Sequence, residues 1–127
     1  MFKADWTTED RCLNTIRSTF GQTGYVLDTH TAVAKDVAGR FVDANRPMII
    51  SATAHYSKFA RDVLKGLRHV PIASDPVELL ASLRRLHARP TAHDNLESAV
   101  RRPHVQKAIC NADVSTVMDE IYCFLRR

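Results

Sequence analysis

The sequence predicts an α/β, helix-rich fragment built around one short buried strand. Three observations carry this. Apolar residues recur three and four apart through most of the chain, the spacing that gives a helix one apolar face. One run, Met48-Ile49-Ile50-Ser51-Ala52, is instead continuously apolar and β-branched, as a strand buried in a parallel sheet is. Cap and turn residues punctuate the chain where these segments end.

Residues 7–20 read as the first helix. Thr7 or Thr8 is placed to cap it, and Glu9 and Asp10 sit in the first turn, where carboxylates favour the positive helix end. Leu13, Ile16 and Phe20 share a face, and Gly21 and Gly24 end the helix. Residues 29–44 read as the second helix, capped by Asp28 or Thr29. Val33, Val37 and Phe41 lie four apart, with Ala34, Ala38 and Val42 beside them, a broad apolar face suited to a sheet. Gly39 costs about 1 kcal/mol in helix propensity and is expected to admit a close neighbour. Asn45-Arg46-Pro47 stops the helix.

The strand at 48–52 follows, then the turn Thr53-Ala54-His55-Tyr56. A third helix opens at Tyr56 or Ser57, with Phe59, Val63, Leu64 and Leu67 on one face. Ligands of α/β domains bind at the carboxyl ends of strands, and Thr53 and His55 occupy that place.

Residues 68–75 form a loop. Pro76 fits the first turn of a fourth helix capped by Ser74 or Asp75, and Leu79, Leu80, Leu83 and Leu86 are its stripe. Residues 88–94 break the pattern, and Pro103 divides 95–110 into two short helical pieces. Asp113 can cap a last helix with Val117, Met118, Ile121 and Leu125 on its apolar stripe. One strand cannot make a sheet. Its neighbours lie outside this chain or come from weaker segments, the first sign that the chain is part of something larger.

Composition narrows the function. The 127 residues suffice for one domain, and 45% hydrophobic with 25% charged residues implies a packed, soluble core. No apolar run approaches the roughly 20 residues that span a bilayer, so no membrane partner is expected. The first residues lack an apolar signal region, so an intracellular address is expected over a secreted one. The net charge is +4, with thirteen arginines and five lysines. These are scattered rather than gathered in an aromatic-interleaved stripe, which argues for a solvated basic surface and against specific nucleic-acid binding. Cys12, Cys110 and Cys123 are odd in number and form no C-x-x-C, which argues against a disulfide framework or structural zinc. None of the six histidines has tight ligand spacing, so no metal site is expected.

Two segments point further. Leu27-Asp28-Thr29-His30-Thr31-Ala32-Val33-Ala34 and Ser51-Ala52-Thr53-Ala54-His55-Tyr56-Ser57-Lys58-Phe59 resemble, in this order and separation, the C-terminal third of threonine synthases. That family has a D-P-H-T-A-V stretch opening a helix and a T-A-H-P-A-K-F stretch after the next strand. Thr15-Ile16-Arg17 in the preceding helix also fits. The chain departs at Thr29, where many members have proline, and at Tyr56-Ser57, where many have proline-alanine. The animal threonine synthase-like proteins are the most similar branch.

The resemblance implies a tryptophan synthase-like, fold type II, pyridoxal 5'-phosphate-dependent fold. It implies phosphate elimination or replacement on a phosphorylated amino acid, O-phosphohomoserine or phosphothreonine. It organises residues 1–127 as a single C-terminal segment, with a motif-bearing part at 10–67 and a helical part at 75–126. By resemblance, Thr53 presents its hydroxyl to the pyridine nitrogen of the cofactor. From the residues alone, Thr53 serves equally well as a helix cap. His55 has the same two readings: it lines the cofactor site, or it holds the turn through backbone groups. Lys58 has two readings, a phosphate contact or a side chain projecting from its helix, of which the second is favoured, and Asp28 and His30 shape the second helix's start.

Ala34-Lys35-Asp36 is similar to the sequence around the Schiff-base lysine of these enzymes. It falls in the wrong register after the D-x-H-T-A-V motif, so Lys35 reads as a surface lysine, and no catalytic residue is assigned. The four glycines, at 21, 24, 39 and 66, are never adjacent, and no backbone cradle for a phosphate is encoded. The chain is therefore expected to need the remainder of an enzyme chain and to be inactive alone. The alternative is a non-catalytic protein-binding module derived from such an enzyme.

Overall fold

Thr8 starts the first helix as expected. Its Oγ1 accepts the Arg11 N–H, and α1 (Glu9–Thr23) follows. The structure, a computed structural model, describes residues 2–69, 74–103, 105 and 109–126. The helix passes through Gly21 and stops at Gly24. There φ is 70°, a left-handed conformation glycine adopts freely, and the Gly24 N–H reaches back to the Phe20 carbonyl at 2.8 Å.

Asp28 caps α2 (Thr29–Ala38), accepting from the backbone N–H of His30 and Thr31 at 2.9 and 3.3 Å. The helix is shorter than the periodicity predicts. Gly39 closes it with its N–H on the Lys35 carbonyl, and single turns carry the chain through Phe41. The helix ends where the weak helix propensity of Gly39 falls.

The expected buried strand at 48–52 does not form. Ile49 is 89% exposed, and the described residues contain no strand. A strand's backbone groups need partners on a neighbouring strand, and no described segment supplies them. Among the described residues, the parallel pairing that does occur is one bridge between Tyr25 and Arg89. There the Val26 N–H donates to the Arg89 carbonyl at 2.8 Å and the Arg89 N–H to the Gly24 carbonyl at 2.9 Å.

A 3-10 turn (Tyr56–Phe59) runs into α3 (Ala60–Gly66). Then come α4 (Pro76–Arg85), with Asp75 as cap and proline in its first turn, and α5 (Asp94–Arg101). The second helical piece expected after Pro103 falls largely on residues 104 and 106–108, outside the described residues. Asp113 caps α6 (Val114–Leu125).

Helix α1 packs on α2 and α3, α3 on α4, and α4 on α5. Ile16, Val63, Leu64 and Leu83 are fully excluded from solvent in the core between them. Burying each such side chain stabilises the fold by about 1.5–3 kcal/mol. The close helix approach falls at Gly66 rather than Gly39. A Cβ on Gly66 would lie 3.3 Å from the Leu13 carbonyl oxygen and 3.5 Å from the Ile16 side chain, whereas one on Gly39 would meet only ordinary contacts within its own helix.

An ion-pair group fastens the N-terminal segment to α2. Asp36 accepts from Arg11, Thr7 and Arg40, and Arg40 also bonds Asp5. The Arg11 and Thr7 bonds hold the Asp36 carboxyl far below the usual carboxylate range. Neither α5 nor α6 has a buried residue among those described, and the apolar stripe of α6 faces outward.

Candidate functional site

The two motifs meet in space because both open helices that share one core. Thr31 donates its hydroxyl to Asp28, which is 2% exposed, so the D-x-H-T stretch forms a closed cap. Beside it lies a cleft of about 160 Å³, walled by Leu27, Asp28 and Thr31 from the first motif and by Ala54, His55 and Tyr56 from the second.

Tyr56 anchors the second motif. It is 2% exposed, and its hydroxyl donates to the Pro90 carbonyl at 3.0 Å. Burial pushes its phenol above the ordinary value. No local sequence signal marks this partner. Pro90 is distant along the chain, and Tyr56 stands at a departure from the family pattern.

His55 is half-buried and caps the 3-10 turn. Its Nδ1 accepts the Ser57 N–H at 3.2 Å, so the neutral ring carries its proton on Nε2. The ring stacks on Tyr56 at 4.5 Å and meets His93 edge-on at 5.7 Å. Burial holds its pKa below the ordinary value. A hydrogen bond to the Thr91 backbone opposes this, His93 adds to it, and Asp28 opposes it. His93 was also missed by sequence reading. It lies in a break between helices, and only the fold brings it to His55.

Thr53 is exposed on the turn between the 48–52 segment and His55. The cap of the following turn is His55, so the helix start leaves the Thr53 hydroxyl available. Lys58 is exposed, and Lys35 is exposed on α2. Among the described residues no three His, Cys, Asp or Glu side chains gather as a metal ion would need, and no helix is long and apolar enough to cross a membrane.

For the pyridoxal phosphate that the resemblance implies, the described residues offer a hydroxyl but no clustered glycines. Thr53 is exposed and sits in sequence between the cleft residues Ala52 and Ala54, and a threonine hydroxyl can donate to an unprotonated ring nitrogen. The glycines that could shape a phosphate cradle are dispersed. Gly21 lies within α1 and Gly24 ends it, Gly39 ends α2, and Gly66 is packed against α1.

The family described as threonine synthase, C-terminal, matches residues 31–117, and the chain belongs to that family. It is similar to threonine synthase-like 1 of Homo sapiens and of Pongo abelii. Each is 40% identical over 121 residues, which is 94% of this chain and 16% of the relative. The threonine synthase of Methylobacillus glycogenes is 35% identical over 71 residues, 56% of this chain and 15% of that enzyme. The chain thus spans 16% of the length of the threonine synthase-like relatives it matches. No solved structure matches it.

Proposed function

We propose that this chain supplies the C-terminal edge of the cofactor site in a pyridoxal 5'-phosphate-dependent threonine synthase-like enzyme. The observation that supports the reading is the ordered motif pair, folded around one cleft, with exposed Thr53 lying in sequence between Ala52 and Ala54, which line it. In the complete enzyme the cofactor, when bound, supplies an electron sink for removing phosphate from O-phosphohomoserine or phosphothreonine. Thr53 donates its hydroxyl to the pyridine nitrogen, and His55 fixes the turn that aims it. Residues 10–67 carry this edge, and residues 75–126 buttress it. The remainder of the enzyme chain brings the phosphate cradle and the lysine that attaches the cofactor, and pairs the 48–52 segment as a strand of a fold type II sheet. The isolated chain does not turn over.

The exposed apolar stripe of α6 favours a second reading, a non-catalytic protein-binding module. The test is substitution at Thr53 in the full-length polypeptide that carries this segment. Thr53→Ser keeps phosphate release, and Thr53→Ala lowers it by roughly five- to tenfold, about the worth of one hydrogen bond, with a shift in cofactor absorbance. Equal turnover and equal spectra in both variants would remove Thr53 from the site. A full-length polypeptide that neither takes up the cofactor nor releases phosphate favours the binding module.

A further inference from the structure

We propose that His55 and His93 form a paired, acid-sensitive clasp that holds the turn after Thr53 against the start of α5 and opens when the rings take up protons. The inference rests on geometry and is independent of the cofactor reading.

Each ring does the same local work. His55 Nδ1 accepts the Ser57 N–H, and His93 Nδ1 accepts the Asn95 N–H, both at 3.2 Å. Each is the N-cap of its helix. Caps are usually Ser, Thr, Asp or Asn, whose oxygens accept at any pH above the carboxylate range. An imidazole accepts only while neutral. Protonated, Nδ1 becomes a donor facing another donor, and the cap is lost. The two rings also meet edge-on at 5.7 Å, so two imidazolium charges would repel across the contact joining the two elements. Acid therefore acts on both caps and on their contact together.

The surrounding charges leave this logic intact. Asp28 and His30 stand at the start of α2, with Asp28 closing its own cap. Arg84 of α4 is engaged by Asp94 and Glu97 of α5 at 2.6 and 3.0 Å, and Glu97 also bonds Arg101. His87 lines the neighbouring cleft with Arg84 and Asp94. Burial is the largest influence on His55 and favours the neutral ring; the hydrogen bond to the Thr91 backbone opposes it, His93 adds to it and Asp28 opposes it, and the balance stays with the neutral form. The folded chain thus favours neutral His55, and as pH falls the unfolded chain binds the proton first. The stabilisation is complete above the ordinary histidine pKa of about 6.5 and is lost as pH falls through that value and below it.

The experiment compares the full 127-residue chain with H55N/H93N, in which asparagine keeps both caps but does not titrate. Urea unfolding is followed at pH 7.5 and pH 5.0. The wild type is expected to lose about tenfold or more in its folding equilibrium constant, since each cap is worth roughly fivefold. H55N/H93N is expected to lose less than about a third of that. Equal losses in the two proteins would overturn the clasp. Should the variant fail to fold, nitrogen NMR of the wild-type rings decides. Both must carry the proton on Nε2 at pH 7.5, and the Ser57 and Asn95 amides must titrate with the rings. A proton on Nδ1 of either ring refutes the proposal.

Discussion

Gly66→Ala tests the helix packing most directly, because the same substitution at Gly39 should have the opposite sign. Gly39 closes α2 at φ −57°, a right-handed conformation alanine shares, and its new Cβ would meet only carbonyls of its own helix at 3.5 Å. Alanine there should stabilise the fold by about 0.5–1 kcal/mol through propensity and a less free unfolded chain. Gly66 is offered the same gain but faces α1. Its Cβ would sit 3.3 Å from the Leu13 carbonyl oxygen, a backbone atom that cannot rotate away, with Ile16 Cβ and Cγ2 at 3.5 Å. Helix α1 would have to withdraw by a few tenths of an ångström, loosening Ile16, which has no exposure to lose. Overpacking of this kind costs about 1–3 kcal/mol. Subtracting the propensity gain leaves Gly66→Ala destabilised by roughly 1 kcal/mol. The assay is urea unfolding followed by circular dichroism at 222 nm, with both variants beside the wild type. Gly66→Ala at or above wild-type stability would refute the close α1–α3 approach.

Three further outcomes are expected. Asp28→Ala removes the buried acceptor for two N–H groups and the Thr31 hydroxyl and should cost about 1–2 kcal/mol in urea unfolding, whereas Asp28→Asn retains much of the cap and loses less. Leu83→Ala should cost about 2–5 kcal/mol because Leu83 is fully buried, while Ile121→Ser on exposed α6 should stay within about 0.5 kcal/mol; equal losses would mean α6 is packed. Native chain should give two fast thiols with a disulfide reagent, Cys110 and Cys123, both exposed. Cys12 should react only on unfolding, because it is buried and its thiol is pushed above the ordinary value first by burial and then by Asp28. Three equally fast thiols would place Cys12 at the surface.

The caps and apolar stripes were legible in the sequence because they are local. Thr8, Asp28, Asp75 and Asp113 each cap the helix their position indicates, since a side chain two or three residues from an unpaired N–H needs no distant partner. The family was legible for a similar reason: its two motifs are short, ordered stretches. The 48–52 segment was misread because periodicity reports what a strand would bury and says nothing of whether a partner strand exists. Of the candidate site, Thr53 and His55 were visible from their place after that segment. Tyr56 with Pro90, and His55 with His93, were not.

By itself, then, the sequence determined where the helices start, which faces are apolar and which family the chain belongs to. The tertiary structure alone decided that Gly66 rather than Gly39 is the point of close approach. It alone decided that His55 and His93 share a contact and that the stripe of α6 is left uncovered. The physical reason is range. Capping and helical period are set within four residues, but a contact between His55 and His93 exists only after α3, α4 and α5 have packed, and no local pattern records that.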